Sequence, residues 1–460
     1  MRRTRTNGSG ATTPAEPGRL AAADRRPAEN RSKVVSTEVE SRRQTKNADF
    51  TALWLALLSS TLGVRAASLA YPLLTLAITH SPSDAGLVGF AALLPNLLLQ
   101  IPAGALVDRV GRKRLMLTLD ASRATLMALF ASAITIWDLP LGAIIAVAFA
   151  DNASLTIYRV AETAAIPSLV RSDELPHALA TNEARIRAGF LAGQPLGGFL
   201  FGAARALPFA ASAGLQLISF GLISRIRRSM SEDLETERIS VAGTLRGFSW
   251  LWRQPPLRDS ALLVAASNIV LQALVLALIV VVKSDTGSST IVGLVLAGGG
   301  VGGIVGSLVA PHIRRRLSFR AVTVGACWAW ALALALMSIA PRPVSLALLF
   351  VAFSAIGPVW NVTVTTLQLS ATPRSLFGRV ASAEMLLSYG VLPLGSLVGG
   401  YALALAGGRS TIAGLGAAMA LIAVSASVSR GLRSAPAGHI REVSATTDDD
   451  HQSRPLDFLS

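Results

Sequence analysis

The sequence predicts an all-α polytopic membrane protein in which twelve transmembrane helices form two pseudo-symmetric six-helix bundles. Three observations lead there. Hydrophobic residues fill 52% of the 460 positions and charged residues only 15%, with a mean hydropathy of +0.52, too apolar for a water-soluble chain of this length. The apolar residues gather into long stretches that are apolar on every side rather than on one face, as a helix in lipid requires. A sequence pattern also recurs 202 residues further along the chain.

Residues 1–48 carry Arg, Ser, Thr, Ala and Glu without the apolar core of a signal peptide, and are expected to be a disordered tail. A helix rises ~1.5 Å per residue, so about 20 apolar residues cover the hydrocarbon layer. Six such spans fill a first bundle, 49–226: Leu53–Leu76, Ala85–Val107, Leu115–Ile136, Leu141–Ala161, Ala184–Ala204 and Pro208–Ile226. A polar, basic linker follows at 227–258. The second bundle, 259–430, holds Ala261–Val282, Val292–Val309, Ala321–Ile339, Val344–Leu367, Ala383–Ala406 and Thr411–Val428. Residues 431–460 are expected to be a second disordered tail.

Loops rich in Lys and Arg stay in the cytoplasm. With the N-terminus inside, the tails and inner loops hold 33 of the 42 basic residues and the outer loops only Arg205, Lys283, Arg342 and Arg409. Arg65, Arg123, Arg159, Arg185 and Arg187 fall within or at the edges of spans. The expected topology is multi-pass in the plasma (inner) membrane with both termini cytoplasmic.

Several function classes are excluded. The net charge of +15 does not mark a nucleic-acid binder, because the charges lie between the spans and in the tails. Cys327, the only cysteine, sits in an apolar run, so neither an intramolecular disulfide nor a multi-cysteine metal site is possible. None of Lys33, Lys46, Lys113 and Lys283 follows a glycine, so there is no phosphate-binding loop of the Walker type. With no catalytic or metal constellation among the five histidines, no enzyme activity, cofactor or metal is expected.

The recurring pattern joins Gly104-Ala-Leu-Val107-Asp108-Arg109-Val-Gly111-Arg112-Lys113-Arg114-Leu115 to Gly306-Ser-Leu-Val309-Ala310-Pro311-His312-Ile-Arg314-Arg315-Arg316-Leu317. The same offset carries Gly193, Gly197 and Gly198 onto Gly395, Gly399 and Gly400. Six spans per unit give the two repeats the same orientation, an arrangement in which two bundles can rock around a site near the midplane. In the loop, Gly104 allows close helix approach, Asp108 offers a carboxylate to helix N-termini and arginines, and Gly111 permits a tight reversal. Together they make a breakable latch, asymmetric because the second copy has Ala310 in place of Asp108.

From Phe50 to Arg430 the chain resembles the major facilitator superfamily, most closely its branch of bacterial drug, macrolide and siderophore exporters. Gly104 to Lys113 is similar to that superfamily's loop signature G-x-L-x-D-R-x-G-R-[RK]. The resemblance implies that Asp108, Arg109 and Arg112 help to stabilise an outward-facing state. Gly189-Phe-Leu-Ala-Gly193-Gln194-Pro195-Leu-Gly197-Gly198 resembles the antiport-associated pattern G-x-x-x-G-P-x-x-G-G with its proline displaced by one, which implies efflux. Weaker likenesses lie at Asp120 with Arg123, at Gln254–Arg258 and around Asn361–Val380.

Polar residues inside spans are costly and therefore mark function. In the superfamily, spans one, four, seven and ten line the central cavity. Here Arg65 lies near the middle of span one and Asp151 near the middle of span four. Asn268 and Gln272 share a face of span seven, and Asn361 lies in span ten. Arg65 and Asp151 are expected to form a cavity-facing charge pair, with Asp151 as the proton-linked carboxylate. The implied activity is proton-coupled efflux of a small amphipathic compound, such as an antibiotic or drug, by alternating access. The alternatives are a siderophore or metabolite exporter and, from another class, a non-transporting membrane receptor or assembly factor. Expected partners are a small-molecule substrate, protons and membrane lipid, with the chain acting as a monomer and binding no nucleic acid.

Overall fold

The computed structural model describes residues 26–169, 174–226, 241–373 and 376–433, which form fifteen α-helices and no strand. The first bundle comprises α1 (Arg26–Thr79) from Phe50 onward, α2 (Pro82–Val110), α3 (Arg112–Ile136), α4 (Leu141–Leu169), α5 (Leu175–Ala203) and α6 (Leu207–Arg225). The linker holds α7 (Val241–Trp252). The second bundle comprises α8 (Pro255–Thr286), α9 (Ser289–Arg316), α10 (Phe319–Ile339), α11 (Pro343–Ala371), α12 (Phe377–Gly390), α13 (Leu392–Ala406) and α14 (Gly408–Val428), and α15 (Arg430–Arg433) follows. Eleven segments among the described residues are long and apolar enough to cross a bilayer, α12 and α13 counting as one. The twelfth expected span is α5, 29 residues long, which carries Glu183, Arg185 and Arg187 in its first half.

Two expectations are corrected here. Residues 26–48, placed in a disordered tail, are helical: Pro27 stands in the first turn, where its missing N–H costs nothing, and neither glycine nor proline follows before Asp49. Span eleven is broken at Val391, because Pro393 supplies no N–H and its ring crowds the preceding turn. Residues 1–25 and 434–460 lie outside the described residues.

The internal repeat is visible in atomic detail. Between α1 and α2 the Ser81 N–H donates to Thr79 Oγ1 at 3.3 Å, and Ser81 Oγ accepts from Asp84 N at 3.3 Å. Between α8 and α9 the Ser288 N–H donates to Thr286 Oγ1 at 3.2 Å, and Ser288 Oγ accepts from Ile291 N at 3.4 Å. His80 (φ 56°) and Gly287 (φ 68°) take the same left-handed backbone in these turns. The spacing is thus 207 over the first three helices of each half, Arg112 matching Phe319 at the starts of α3 and α10, and 202 from Leu141 and Pro343 onward. The loop pattern matched at 202 is therefore out of structural register. Its basic triplet opens α3 in one half and closes α9 in the other.

The glycine pattern obeys the symmetry. A Cβ on Gly193 would collide with Arg65 of α1, and one on Gly197 would lie 2.6 Å from the Ala66 carbonyl oxygen. In the second half, Gly395 meets Gln272 Cβ at 2.8 Å and Gly399 meets Ala273 Cα at 2.9 Å. Arg65 and Gln272 are therefore equivalent positions. The last glycine of each set crosses to the other bundle: Gly198 lies against Ser289 and Gly293, and Gly400 against Pro82 and Gly86. Such contacts bring backbones together as only small residues allow.

These crossings lie at the end away from the basic loops. One buried apolar cluster runs through both bundles, and its members from the first bundle come only from that end: Ala67–Val88, Met127–Ala148 and Phe201–Ala213. At the basic end the first bundle has a cluster of its own, including Leu53, Leu115, Tyr158 and Ile223. The bundles share one apolar core at the end away from the basic loops and have separate apolar clusters at the other, where Gln100 of α2 still touches Met385 of α12 at 3.1 Å.

Candidate functional site

The interior of the first bundle carries its charges in two layers. In the layer nearer the joined end, Arg123 of α3 is fully buried and Asp151 of α4 is 3% exposed. Arg123 Nε donates to Asp151 Oδ1 at 2.9 Å, and the Tyr71 hydroxyl of α1 donates to Asp151 Oδ2 at 3.4 Å. Tyr71 leans on Phe209, and Phe130 meets Phe209 edge to face with ring centres 4.9 Å apart. Aromatic rings wall the pair off, which strengthens its attraction and raises the cost of losing either partner. Arg123 Nη1 and Nη2 are buried without a hydrogen-bond partner among the described residues, so the carboxylate satisfies only part of the guanidinium. One turn away, Asp120 Oδ2 accepts a 2.6 Å hydrogen bond from Ser219, whose hydroxyl also meets that of Tyr158 at 3.3 Å.

The expected Arg65–Asp151 pair is not formed. Helices α1 and α4 run antiparallel, and Tyr71 fixes the level of Asp151 on α1. Arg65, six residues earlier, therefore lies ~9 Å along the axis from that level, beside Tyr158 and Arg159. Its guanidinium carbon stands 3.4 Å above the Phe190 ring of α5.

The second layer surrounds this position. Arg185 of α5, 2% exposed, donates to Glu162 of α4, to the Leu57 carbonyl at 2.9 Å, to Thr61 and to Asn182. A small cavity lies alongside, with Thr61, Arg65, Tyr158, Arg159 and Glu162 in its wall. The Glu162 carboxylate is thus committed to Arg185. Glu183 and Arg187, in contrast, form an exposed pair along one helix face at 2.8 Å.

In the second bundle, Asn268 Nδ2 donates to the Ser388 carbonyl at 2.8 Å and Gln272 Nε2 to Ser396 Oγ at 3.2 Å, tying α8 to both parts of the broken span eleven. Asn361 is exposed on α11. The positions equivalent to Arg123 and Asp151 are Trp330 and Phe353, whose rings lie 5.8 Å apart and where Trp330 Nε1 donates to the Phe353 carbonyl at 2.8 Å. An ion pair in one half thus stands where the other half has an aromatic pair.

The loop motif is placed at the open end. Gly111 has φ 83°, the left-handed backbone expected for the reversal between α2 and α3. Lys113 Nζ reaches across to the Ser224 carbonyl at 3.2 Å and the Ile226 carbonyl, neutralising the negative end of α6. Arg109 is exposed, and Arg112 lies at the first turn of α3. The side chain of Asp108, the centre of the expected latch, lies outside the described residues. The expected close approach at Gly104 is not seen: among the described residues nothing lies within 4 Å of a Cβ built there. In the span-five motif, Gly189 faces Thr61 of α1 one turn before Gly193, and Pro195 sits inside α5 with its Cα against Gly293 of α9.

Residues 44–447 match the family described as transmembrane secretion effector. The chain belongs to the major facilitator superfamily. Among curated relatives of this transporter, the multidrug efflux pump Tap of Mycolicibacterium fortuitum is 28% identical over 402 residues, covering 83% of this chain and 95% of that protein. An uncharacterized MFS-type transporter of Sinorhizobium fredii is 29% identical over 364 residues, covering 76% and 87%. Solved structures share the fold. The nucleoside transporter NupG superposes with a TM-score of 0.66 at 14% identity, covering 84% of this chain and 98% of that one. A bacterial homologue of the iron transporter ferroportin, in an inward-facing state, gives 0.63 at 16%, covering 82% and 97%. The chain is a multi-pass membrane transporter of the kind that binds small-molecule substrates.

Sequence reasoning singled out Asp151 correctly as a buried charge and missed its partner. Arg123 and Arg185 were legible as arginines inside spans, the signal that selected Arg65. Their roles as counter-ions depend on the relative heights of α3, α4 and α5.

Proposed function

We propose that this transporter exports small amphipathic compounds by alternating access, driven by proton entry, with the basic loops facing the cytoplasm. The observation that carries the reading is the Arg123–Asp151–Tyr71 cluster, an ionisable carboxylate held at mid-span in an apolar sleeve. A proton arriving on Asp151 removes its negative charge, releases Arg123 from the carboxylate it is paired with and changes the interior by one full charge. The apolar core shared at the far end and divided at the basic end supports an inward-facing arrangement with access from the cytoplasm. The relationship to Tap, a multidrug efflux pump, supports the direction and the substrate class. Since one chain houses both bundles, the monomer is the working unit.

The experiment is drug accumulation in an efflux-deficient bacterial host expressing the protein, with and without a protonophore. Expression is expected to lower accumulation of hydrophobic antibiotics, the protonophore to abolish the effect, and Asp151→Asn to do the same while substrate still binds the purified protein. Protonophore-insensitive efflux, or full activity in Asp151→Asn, refutes the coupling assignment.

A further inference from the structure

The second polar layer has a use that the proton cluster does not explain. Its cavity wall carries Arg65 and Arg159 and, directly behind them, Arg185, against one carboxylate, Glu162, which is already held by Arg185. Arg65 Nε is buried with no hydrogen-bond partner among the described residues, and its guanidinium carbon lies 3.4 Å from the Phe190 ring centre, so the ring holds a cation whose Nε donor is left unused. Arg159 is exposed and makes no ion pair among the described residues; Glu162, Arg123 and Arg185 lie within its electrostatic reach, as does Tyr389 of α12 in the other bundle. Leu57, Val64 and Leu155 complete an apolar wall. With Glu162 held by Arg185, the half-buried Arg65 and the exposed Arg159 leave this wall with an excess of positive charge, and the planar fork of arginine suits a carboxylate best.

The geometry points to an anion subsite in the first bundle: Arg65 and Arg159 receive the carboxylate of an amphipathic substrate, whose apolar body lies against Leu57, Val64 and Leu155. Arg185 and Glu162 are positioning residues that brace α5 against α4 and α1. The inference rests on the export reading and narrows its substrate class to amphipathic anions. The equivalent of Arg65 in the second half is the neutral Gln272, tied to Ser396, so the charge preference belongs to one half alone.

Two dyes built on one xanthene scaffold test it: fluorescein, an anionic carboxylate, and rhodamine 6G, a cationic ester. Binding to the purified full chain in phosphatidylcholine nanodiscs is read by fluorescence polarisation. Fluorescein is expected to bind more tightly than rhodamine 6G. Arg65→Gln and Arg159→Gln are each expected to weaken fluorescein at least tenfold and to leave rhodamine 6G within twofold, and Arg65→Lys to recover part of the loss. Absence of fluorescein binding, equal effects on the two dyes, or tighter binding of rhodamine 6G overturns the subsite. Loss of fluorescein binding when phosphatidylglycerol replaces phosphatidylcholine assigns the arginines to lipid headgroups and overturns the substrate assignment. Because binding is measured without transport, failure of protonophore-sensitive efflux alone refutes the export reading while this measurement still decides the subsite. Should Arg65→Gln not yield a monodisperse protein, Arg65→Lys and Arg159→Gln carry the comparison.

Discussion

Removing one member of the Arg123–Asp151 pair should cost more than removing both. At 2.9 Å and an effective dielectric near 20, the attraction between unit charges is about 6 kcal/mol. Most of that offsets the desolvation of two groups whose side chains are 0% and 4% exposed. Deleting one charge strands the other, at about 3–5 kcal/mol, whereas deleting both removes the desolvation penalty as well. Asp151→Asn and Arg123→Gln are each expected to lose roughly that amount. The double variant is expected to be more stable than either single one, a coupling of at least about 2 kcal/mol. The assay is reversible unfolding of purified protein in mixed micelles by a denaturing detergent, run as a double-mutant cycle. Losses that add to within about 0.5 kcal/mol would mean that the two side chains are energetically independent, and the paired-charge description would fall.

Three more outcomes follow from the geometry. Gly197→Val should abolish or destabilise the folded protein by about 1–3 kcal/mol or more, since its Cβ would meet the Ala66 backbone at 2.6 Å, whereas Gly104→Ala should leave stability unchanged; monodispersity on size exclusion reads both, and equal behaviour contradicts the packing described. Gln100→Cys with Met385→Cys, whose native side chains touch at 3.1 Å across the bundles, should be joined by a short bifunctional thiol reagent and stop transport; transport that continues after complete cross-linking refutes the need for the bundles to separate there. With basic loops in the cytoplasm, Ser318→Cys should react with an impermeant maleimide only after cells are opened, and Asp138→Cys in intact cells, the buried Cys327 staying silent in both; the reverse pattern inverts the topology.

The spans were legible because lipid offers the backbone no hydrogen bonds and so enforces long, uniformly apolar helices. Even there, the break at Val391 needed Pro393 to be weighed against a continuous apolar run. Residues that are costly in lipid were legible by type, and Asp151, Arg65 and Gln272 all prove to be inside the bundles. Which charge meets which was not legible. A helix shifted by six residues moves a side chain by ~9 Å, and nothing in the sequence fixes the height of α1 against α4. The repeat shows the same limit. Two matches at 202 looked like one register, yet the halves are related by 207 through α3 and α10, and the loops that absorb the difference leave no periodic trace.

Where the two halves meet through Gly198, Gly293, Gly86 and Gly400, the touching surfaces are bare main chain. The ion pairs Arg123–Asp151, Glu162–Arg185 and Asp285–Arg409 each stay inside one half. At these four glycines, parting the halves unlocks no rotamer and strips no charge of its partner among the described residues. If the halves rock as proposed, this glycine line serves as a smooth bearing, and the energetic cost of opening falls on the chambers inside rather than on the hinge line itself.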